Sequence, residues 1–332
     1  MRIAIVRLTS LGDIIFCMCC LQLIKRRLPE ARITWVADKK FADILDHNPD
    51  LEKVVKLDLK GVKRHFSFAG ARHEYQKLKD AGEFDIAIDL HGMLKSALVA
   101  ACLSRRRAGF HRSVAKEPLA ALWYADAFRI SREELAVSRF SRLAAAALGF
   151  GFSEEELLAK KPYLFHGEAD ALAVAPFFSR EKKNVILVPG SSAGYKNYPK
   201  GKYLRIAKSL DAQFLVCNGG EKEREVAAYL AENCGSVTPL PTLTLNQLKA
   251  AVSRADLVIG GDTGPTHMAW ACNVPSITLY GATPANCVYP GPTCRAVTSG
   301  SPANPLRADK NDFSIGKIRE ETIIGLAEEL LS

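Results

Sequence analysis

The stretch IAIVRLTSLGDII, residues 3–15, predicts the first strand, turn and helix of the chain. The apolar run from Ile3 to Val6 is typical of a buried strand, and the amphipathic segment that starts near Leu11 is typical of a helix. A strand-to-helix turn of this kind often binds phosphate on the free N–H groups of the helix. Asp13 lies at the start of that helix, where a carboxylate stabilises the helix but repels a phosphate. Either no phosphate binds at this turn, or the carboxylate takes part in chemistry.

The alternation of strand and helix continues along the chain and is interrupted between Lys160 and Lys183, where proline and glycine accumulate. The strand-like segments on the two sides of this region are RIAIV, ITWVA, KVVKL, DIAIDL, NVILV, FLVC, DLVIGG and SITLY. The helix-like segments are 13–27, a helix from about 39, KSALVAACL, YLRIAKSL, 221–234, LNQLKAAVSRA and a helix from about 266. This alternation predicts the α/β class, with parallel sheets covered by helices.

The length of the chain favours two domains, because 332 residues exceed the roughly 250 to 300 residues of one hydrophobic core. We predict two Rossmann-like parallel-sheet domains, 1–165 and 166–314, facing a central cleft that receives the carboxyl ends of both sets of strands. The tract from Ala282 to Phe313 is expected to be irregular. A closing helix, 315–332, is expected to pack back on the first domain.

The cysteine pattern argues against disulfides and against a metal centre. Nine cysteines are scattered along the chain, and an odd number cannot all pair. Cys17, Cys19 and Cys20 lie within about one turn of an apolar helix, which gives poor tetrahedral geometry, so buried thiols are expected. No apolar run reaches the ~18 residues of a membrane span, and we expect a cytoplasmic protein.

The net charge of +9 implies an anionic partner. Much of this charge lies in KGVKRHF and SRRRAGFHR, and neither an RNA-binding aromatic signature nor a helix-turn-helix pattern accompanies it. An anionic lipid surface or a charged small substrate therefore fits better than nucleic acid. The cations expected to form an anion-binding side of the first domain are Lys60, Lys63, Arg64, Arg112 and Lys116.

The segment GGDTGPTHMAWA, residues 260–271, combines glycines, hydroxyls, an acid and a histidine at the end of a predicted strand. The N–H groups of the helix that follows suit a diphosphate. Thr263 and Gly264 belong to the turn itself. His267 is expected to donate to a phosphate oxygen, and Asp262 to accept hydrogen bonds from sugar hydroxyls.

Two further strand ends carry polar side chains. PGSSAGYKNYP supplies the hydroxyls of Ser191 and Ser192 and the charge of Lys196, which can stabilise a leaving diphosphate. NGGEKE places Glu221 after two glycines, where an acid commonly binds ribose hydroxyls. No Ser-His-Asp, HExxH, GxGxxG or P-loop pattern is present. Together these features predict group transfer from a nucleotide diphosphate to an anionic acceptor.

The chain resembles the ADP-heptose:lipopolysaccharide heptosyltransferases of glycosyltransferase family 9, and among them most closely the heptosyltransferase I branch. The segments that carry the resemblance are MRIAIVRLTSLGDII, DLHGMLKSALVA, EPLAALWY, GGDTGPTHMAWA and ITLYGAT, in that order along the chain. The resemblance implies a GT-B fold. It also implies inverting transfer of L-glycero-D-manno-heptose from ADP-heptose to the Kdo sugar of Kdo-lipid A, by a peripheral protein at the inner membrane.

The resemblance further implies roles for single residues. Asp13 matches the general base, with Gly12 beside it on the acceptor side, and Lys196 and Glu221 match the residues that bind the diphosphate and the ribose. Burial is expected to raise the pKa of Asp13 and so improve the base. No obligatory metal is implied, although a divalent cation could stimulate transfer, and a monomer is expected.

Alternatives remain open at this point. Ser10 and Asp13 have the spacing of a helix capping box, so Asp13 could be structural. Lys116 and Leu135 stand where the family more often has arginine and histidine, which bears on the acceptor. A heptosyltransferase II or III, a sugar-nucleotide epimerase and a non-catalytic lipid-binding protein are the competing functions.

Overall fold

The computed structural model of the chain describes residues 1–59, 61, 68–191, 193–287, 289–302 and 309–332. The candidate residues outside these ranges are Lys60, Lys63, Arg64 and Ser192. The chain divides into two compact units, Met1–Tyr163 and Leu164–Ser332. No helix within the described ranges is long and apolar enough to cross a membrane.

The first unit contains a six-stranded sheet in the order β3-β2-β1-β4-β5-β6, with every neighbouring pair parallel. Its strands are β1 Arg2–Val6, β2 Arg32–Asp38, β3 Lys53–Leu57, β4 Ile86–Asp89, β5 Arg107–Phe110 and β6 Asp126–Phe128. Its helices are α1 Leu11–Arg27, α2 Phe68–Asp80, α3 Leu94–Leu103, α4 Ala136–Leu148 and α5 Glu154–Leu158, with 3-10 helices at Ala42–Leu45 and Pro118–Trp123.

The second unit repeats this architecture with the order β12-β11-β10-β7-β8-β9, again parallel throughout. Its strands are β7 Asn184–Val188, β8 Gln213–Val216, β9 Val237–Pro239, β10 Leu257–Gly261, β11 Ser276–Tyr280 and β12 Cys294–Thr298. Its helices are α6 Glu168–Val174, α7 Lys200–Ser209, α8 Glu221–Asn233, α9 Leu245–Arg254, α10 Gly264–Ala271 and α11 Glu320–Leu331, with 3-10 helices at Ala175–Phe177, Gly194–Lys196 and Ser314–Lys317.

Both sheets reverse the direction of strand order at one point, between β1 and β4 in the first unit and between β7 and β10 in the second. Helices leave these neighbouring strands towards opposite faces of the sheet, and the gap between them is where open α/β sheets bind ligands. The central strands are apolar because both faces of the sheet are covered by helices. Every residue of β7, β10 and β11 is buried.

The structure corrects several predictions. Strands β5, β6 and β9 are too short for a clear apolar run, and they did not stand out in the sequence. The tract expected to be irregular contains β12, which pairs with β11 and has exposed residues on one face. The helix expected from about Lys39 is only a 3-10 turn at Ala42–Leu45.

Helix α11 begins at Glu320, and it packs on the second unit rather than the first. Ile323 and Ala327 of this helix belong to the core of the second unit, and the Glu320 carboxylate forms an ion pair with Lys202 of α7 at 3.0 Å. The prediction that this helix returns to the first domain was therefore wrong. Its apolar face is complementary to α7 and to the strands β10 and β11 of its own unit.

The cluster of cysteines in α1 is buried, as predicted from its apolar surroundings. Cys17, Cys19 and Cys20 are at most 2% exposed. Burial raises the pKa of all three thiols, so they stay protonated and serve as small apolar side chains.

Candidate active site

The loop after β7 and the turn after β10 meet at the reversal point of the second sheet. Gly261, the last residue of β10, makes this approach possible because a Cβ there would lie 2.5 Å from the carbonyl oxygen of Lys196. Lys196 ends the short 3-10 helix of the loop, and Thr263 is the N-cap of α10. The two strand ends that the sequence singled out are thus in direct contact.

Asp262 is the centre of a charged network at this point. Its Oδ2 atom accepts a hydrogen bond from Lys196 Nζ at 2.5 Å, and its Oδ1 atom lies 2.9 Å from His267 Nε2. The Asp262 side chain is 12% exposed. Desolvation raises the pKa of its carboxyl, but His267 and Lys196 outweigh that effect and hold the pKa well below its usual range. Asp262 is therefore ionised at neutral pH and fixes the lysine ammonium at the end of β10.

The thiol of Cys287 also contacts this carboxylate, with its Sγ atom 3.7 Å from Asp262 Oδ1. The ligand atoms of Asp262, His267 and Cys287 all lie within 4.8 Å of one another, a grouping able to hold a metal ion. A cation bound there would have to share Asp262 with the Lys196 ammonium. The positive charge that a metal would supply at this strand end is thus already provided by the lysine.

A cavity of about 250 Å³ opens beside this network, at the carboxyl ends of β7, β8, β9 and β10. One wall is apolar and is formed by Pro241, Leu243, Leu245 and Leu248. The polar atoms come from other strand ends, on Ser191, Asn218, Glu223 and Thr263. An apolar wall with a few convergent polar groups suits a planar base attached to a hydroxylated sugar.

The reversal point of the first sheet is organised around Asp13. Its Oδ2 atom lies 2.7 Å from an Arg7 guanidinium nitrogen and accepts hydrogen bonds from the Ser10 hydroxyl at 2.8 Å and the Ser10 N–H at 3.2 Å. Its Oδ1 atom accepts no hydrogen bond from any residue within the described ranges. The side chain is 36% exposed. One oxygen thus anchors the carboxylate and the other is available to a ligand.

Arg7 is the ionic partner of Asp13. It is buried, donates to the Leu90 carbonyl oxygen at 2.6 Å, and has its guanidinium 4.8 Å from the centre of the Phe140 ring. Desolvation alone raises the pKa of Asp13, whereas Arg7 and the hydrogen bonds from Ser10 lower it, and the lowering prevails. The prediction of a raised pKa was wrong, because a charged partner lies against the acid.

A family model for glycosyltransferase family 9 (heptosyltransferase) matches residues 72–308 of the chain. Lipopolysaccharide heptosyltransferase 1 of Campylobacter coli is 33% identical, and the match covers 99% of each protein. The chain belongs to glycosyltransferase family 9.

Solved structures carry the same fold. A structure titled E. coli heptosyltransferase WaaC with ADP-2-deoxy-2-fluoro heptose superimposes with a TM-score of 0.80 at 23% identity, covering 99% of each chain. E. coli ADP-heptose lps heptosyltransferase II gives a TM-score of 0.77 at 20% identity, over 100% of this chain and 98% of the other. The predicted GT-B architecture with two parallel-sheet domains is confirmed. Because this protein is a glycosyltransferase, the epimerase and the non-catalytic lipid-binding protein are excluded.

In this family 9 enzyme, the acid that lines the cavity is Glu223 rather than the predicted Glu221. Glu221 is the exposed first residue of α8, whereas Glu223 lines the cavity and its carboxylate accepts a hydrogen bond from the Gly219 N–H. Gly190 permits this position, since a Cβ there would collide with the Glu223 side chain. Both acids lie in NGGEKE, on the first turn of the helix. They differ in the direction of their side chains, and of the two only Glu223 lines the cavity.

The hydroxyl of Ser191 is used within its own loop. It donates to the Ala193 carbonyl at 2.6 Å and lies 2.9 Å from Asn197 Oδ1, although the residue itself lines the cavity. His267 and Gly264 are buried in α10, and His267 contacts Asp262, a pairing that the separate roles predicted for these two residues did not include.

His91 is a residue of the first unit that the sequence analysis missed. It follows β4, the strand beside β1 at the reversal point, and is 4% exposed. Its Nδ1 atom has no hydrogen-bond partner among the residues that the structure describes. Burial, together with the charge of Arg7, Lys95 and Lys116, lowers the pKa of His91 to about 2, so the imidazole is neutral. Its position directly after a predicted central strand was the signal that could have identified it.

The acceptor candidates are less concentrated. Gly12 is half-buried in the first turn of α1, one residue before Asp13. Lys116 lies against Gly92, since a Cβ on that glycine would approach the Lys116 backbone nitrogen to 3.5 Å. Arg112 is exposed in the turn after β5. Of the predicted cations in the described ranges, Lys116 therefore lies near His91.

Proposed function

We propose that the protein is the heptosyltransferase of lipopolysaccharide core synthesis that acts first. It would transfer L-glycero-D-manno-heptose from ADP-heptose to the Kdo sugar of Kdo-lipid A. The observation that carries the donor part is the cavity of the second unit, which joins an apolar wall to Glu223 and reaches Thr263, the residue that follows Asp262 of the Lys196–Asp262 pair. The full-length likeness to a protein named lipopolysaccharide heptosyltransferase 1 supports type I over types II and III.

The donor would bind with its adenine against the apolar wall and its ribose hydroxyls on Glu223. Leu243, Leu245 and Leu248 present aliphatic surface to a planar base. An ionised carboxylate is a strong acceptor for a vicinal diol. The diphosphate would then lie at the N-terminus of α10, where the free N–H groups of the helix and the Lys196 ammonium favour negative charge.

Lys196 would assist departure of the leaving group. As the bond between the anomeric carbon and the phosphate oxygen breaks, the electron pair goes to ADP, and a cation held at a fixed point stabilises it. Asp262 keeps the ammonium in place at 2.5 Å, so little reorganisation is needed. Since the lysine provides this charge, we propose that no metal is obligatory and that EDTA leaves transfer intact.

Asp13 would act as the general base. Its free Oδ1 atom would take the proton of the Kdo hydroxyl as the hydroxyl oxygen attacks the anomeric carbon opposite the diphosphate, which inverts the configuration. The lowered pKa keeps Asp13 ionised throughout the neutral range, at the cost of basicity. The capping bond to the Ser10 N–H uses the other oxygen, so the structural role and the catalytic role are compatible.

The acceptor carries carboxylate and phosphate groups, and the first unit would receive them on basic side chains. Lys116, Arg112 and Gly12 are the described candidates, with Lys60, Lys63 and Arg64 outside the described ranges. The net charge of +9 supports a peripheral position on the anionic cytoplasmic face of the inner membrane. We expect the enzyme to act as a monomer.

A transfer assay tests this proposal. Purified protein is incubated with ADP-heptose and either Kdo-lipid A or an already heptosylated core, and the products are measured by mass spectrometry. We expect one added heptose on Kdo-lipid A only, with or without EDTA. Transfer confined to the heptosylated acceptor would contradict type I, and transfer to neither acceptor would contradict the proposal as a whole.

A further inference from the structure

An apolar surface on the first unit is left uncovered in the described chain. Among the described residues, five of the eleven exposed large apolar side chains lie on two neighbouring elements, α3 and the 3-10 helix Pro118–Trp123. Leu119 is 64% exposed, Leu122 80% and Trp123 39%. Single exposed leucines are common, but a group of five on adjacent elements marks an interaction site. We call Leu94, Leu98, Leu119, Leu122 and Trp123 the apolar patch.

The two elements of the apolar patch are packed side by side. Ala97 of α3 and Ala120 of the 3-10 helix are fully buried in one small cluster with Tyr124. The backbone N–H of Leu94 donates to the Glu117 carboxylate at 2.7 Å, which joins the start of α3 to the start of the 3-10 helix. The small alanines face inward, so the larger side chains on these elements are left outward.

Helical spacing explains why the outward side chains group together. Leu94 and Leu98 are four residues apart in an α-helix and share one face. Leu119 and Leu122 are three residues apart in a 3-10 helix, where such side chains eclipse each other. Each element therefore presents a leucine pair to solvent, and the exposed Trp123 lies next to one of them.

Cationic residues lie on, or directly next to, the elements that carry the apolar patch. Those on the same elements or directly beside them are Lys95, Arg105, Arg106, Arg107 and Lys116. Two acids next to these elements have partners: Glu117 accepts a hydrogen bond from the Leu94 N–H, and Asp126 forms an ion pair with Arg106 at 3.3 Å. Arg107 donates to the Trp123 carbonyl oxygen at 2.5 Å, which ties the cationic segment to the tryptophan. The five cations, which we call the cationic rim, outnumber the acids next to them, Glu83, Asp85, Glu117 and Asp126, so the rim is net positive.

We propose that the apolar patch docks on an anionic phospholipid bilayer, with Leu119, Leu122 and Trp123 entering the interface and the cationic rim meeting lipid phosphates. Exposed leucines with a tryptophan, bordered by lysine and arginine, are the combination that amphipathic interfacial segments use. The opposite charge of the rim and the lipid favours a bilayer over a second copy of this cationic chain. The benefit to catalysis rests on the proposed function, since that acceptor is a membrane lipid; the docking itself does not.

Tryptophan fluorescence tests the docking directly. The chain has three tryptophans, of which Trp35 is fully buried and Trp270 is 8% exposed, so Trp123 alone presents substantial surface. With vesicles of phosphatidylethanolamine and phosphatidylglycerol, we expect a blue shift and quenching by brominated lipid. Trp123→Phe should abolish both signals while the protein still sediments with the vesicles.

A leucine variant and a matched control test the energetics. Leu119→Ser/Leu122→Ser should lower partition onto the same vesicles about tenfold or more, because apolar surface can no longer be buried. Leu172→Ser removes a leucine of similar exposure, 66%, from α6 of the second unit and should leave partition unchanged. Vesicles of phosphatidylcholine alone, or high salt, should weaken binding of the wild type.

The outcomes separate this proposal from the proposed function. ADP affinity, measured by calorimetry, should be the same in all of these proteins, and a failure of ADP to bind any of them counts against the donor site and not against docking. Equal sedimentation of the Leu119→Ser/Leu122→Ser variant and wild type would overturn the proposal. A wild-type dimer that this variant converts to a monomer would also overturn it, because the patch would then be a dimer interface. Normal vesicle binding by the variant together with lost transfer to Kdo-lipid A would overturn it too, because the patch would then bind the acyl chains of the acceptor.

Discussion

The two units share one strand order but use the reversal point of the sheet in different ways. In the second unit, Asp262 is 12% exposed and both of its oxygens are occupied, by Lys196 and by His267. In the first unit, Asp13 is 36% exposed, and Arg7 and Ser10 bind a single oxygen. The topology determines where an acid lies, and its partners determine whether it can act on a ligand.

The cationic partners of the two acids, Arg7 and Lys196, also differ in how tightly they are held. Arg7 is buried and makes further contacts to Leu90 and Phe140, so it serves as a fixed support. Lys196 is held by Asp262 and by the Asp262 carbonyl oxygen at 3.2 Å, and its side chain remains 22% exposed. The first pair thus offers a carboxylate, and the second pair offers a cation.

The largest expected effect is on stability, from Asp262→Ala. This change leaves Lys196 and His267 without their common partner, and breaking a buried ion pair from one side costs about 3–5 kcal/mol. The folded-state pKa of Asp262 is lowered, so its stabilisation is fully present above the unfolded pKa of about 3.9 and is lost as pH falls through the folded-state pKa.

Urea unfolding at a series of pH values measures this contribution. The difference in unfolding free energy between wild type and Asp262→Ala should be full at pH 7 and shrink as the solution is acidified. Asp211→Ala is the matched control, because that acid forms an exposed ion pair with Lys182, and its effect should be small at every pH. A difference for Asp262 that does not change with pH would break the electrostatic account of the second unit.

The second prediction concerns the cation itself. Lys196→Ala should lower kcat by about 10²–10³, the usual effect of losing one group that stabilises developing charge, and weaken ADP binding as well. Lys208→Ala removes an exposed lysine of α7 and should have no effect on either quantity. If Lys196→Ala changed only the KM for the acceptor, the lysine would act on the acceptor and not on the donor, contrary to the role proposed for it in the second unit.

Much of the second unit's site could be predicted because its signals are local. Asp262, Thr263, Gly264 and His267 lie in one segment at a strand end, and the chain order alone brings them together. The sequence could not distinguish Glu221 from Glu223, because the two acids of NGGEKE are equivalent in composition and only the helix geometry shows that Glu223 lines the cavity.

The first unit was harder to predict because its decisive contacts join separated segments. Arg7 lies in the opening stretch, yet its effect on the pKa of Asp13 depends on side-chain packing that no pattern reports. His91 approaches this group only through the pairing of β1 with β4. The same reason explains α11 and β12, whose places are decided by long-range packing rather than by local periodicity.

The third prediction sharpens the donor side with a matched pair of acids. Glu223→Gln should weaken ADP binding about tenfold or more, since hydrogen bonds to a charged group contribute about 1.5–3 kcal/mol. Glu221→Gln, two residues away on the exposed start of α8, should leave the affinity unchanged. Calorimetry with ADP measures the affinity of both variants. If Glu221→Gln weakened ADP binding and Glu223→Gln did not, the acid that binds the ribose would be Glu221, as predicted from the sequence.

The smallest expected effect comes from His91. Its pKa is lowered to about 2, so its charge does not change in the neutral range. The pH profile of kcat between about pH 5.5 and 8 should therefore be the same in wild type and in His91→Gln, which keeps a neutral polar group of similar size. If a limb of the wild-type profile disappeared in the variant, His91 would titrate in this range, which would contradict a neutral imidazole beside Arg7 and Asp13.

Asp13→Asn tests the division between the two units most directly, because it preserves the shape of the side chain and removes the base. The measurement is kcat for transfer to Kdo-lipid A together with the ADP dissociation constant on the same preparation. We expect kcat to fall by about 100-fold or more while the ADP affinity stays at its wild-type value. Near-normal turnover, or a loss of ADP affinity comparable to the loss of turnover, would contradict the account.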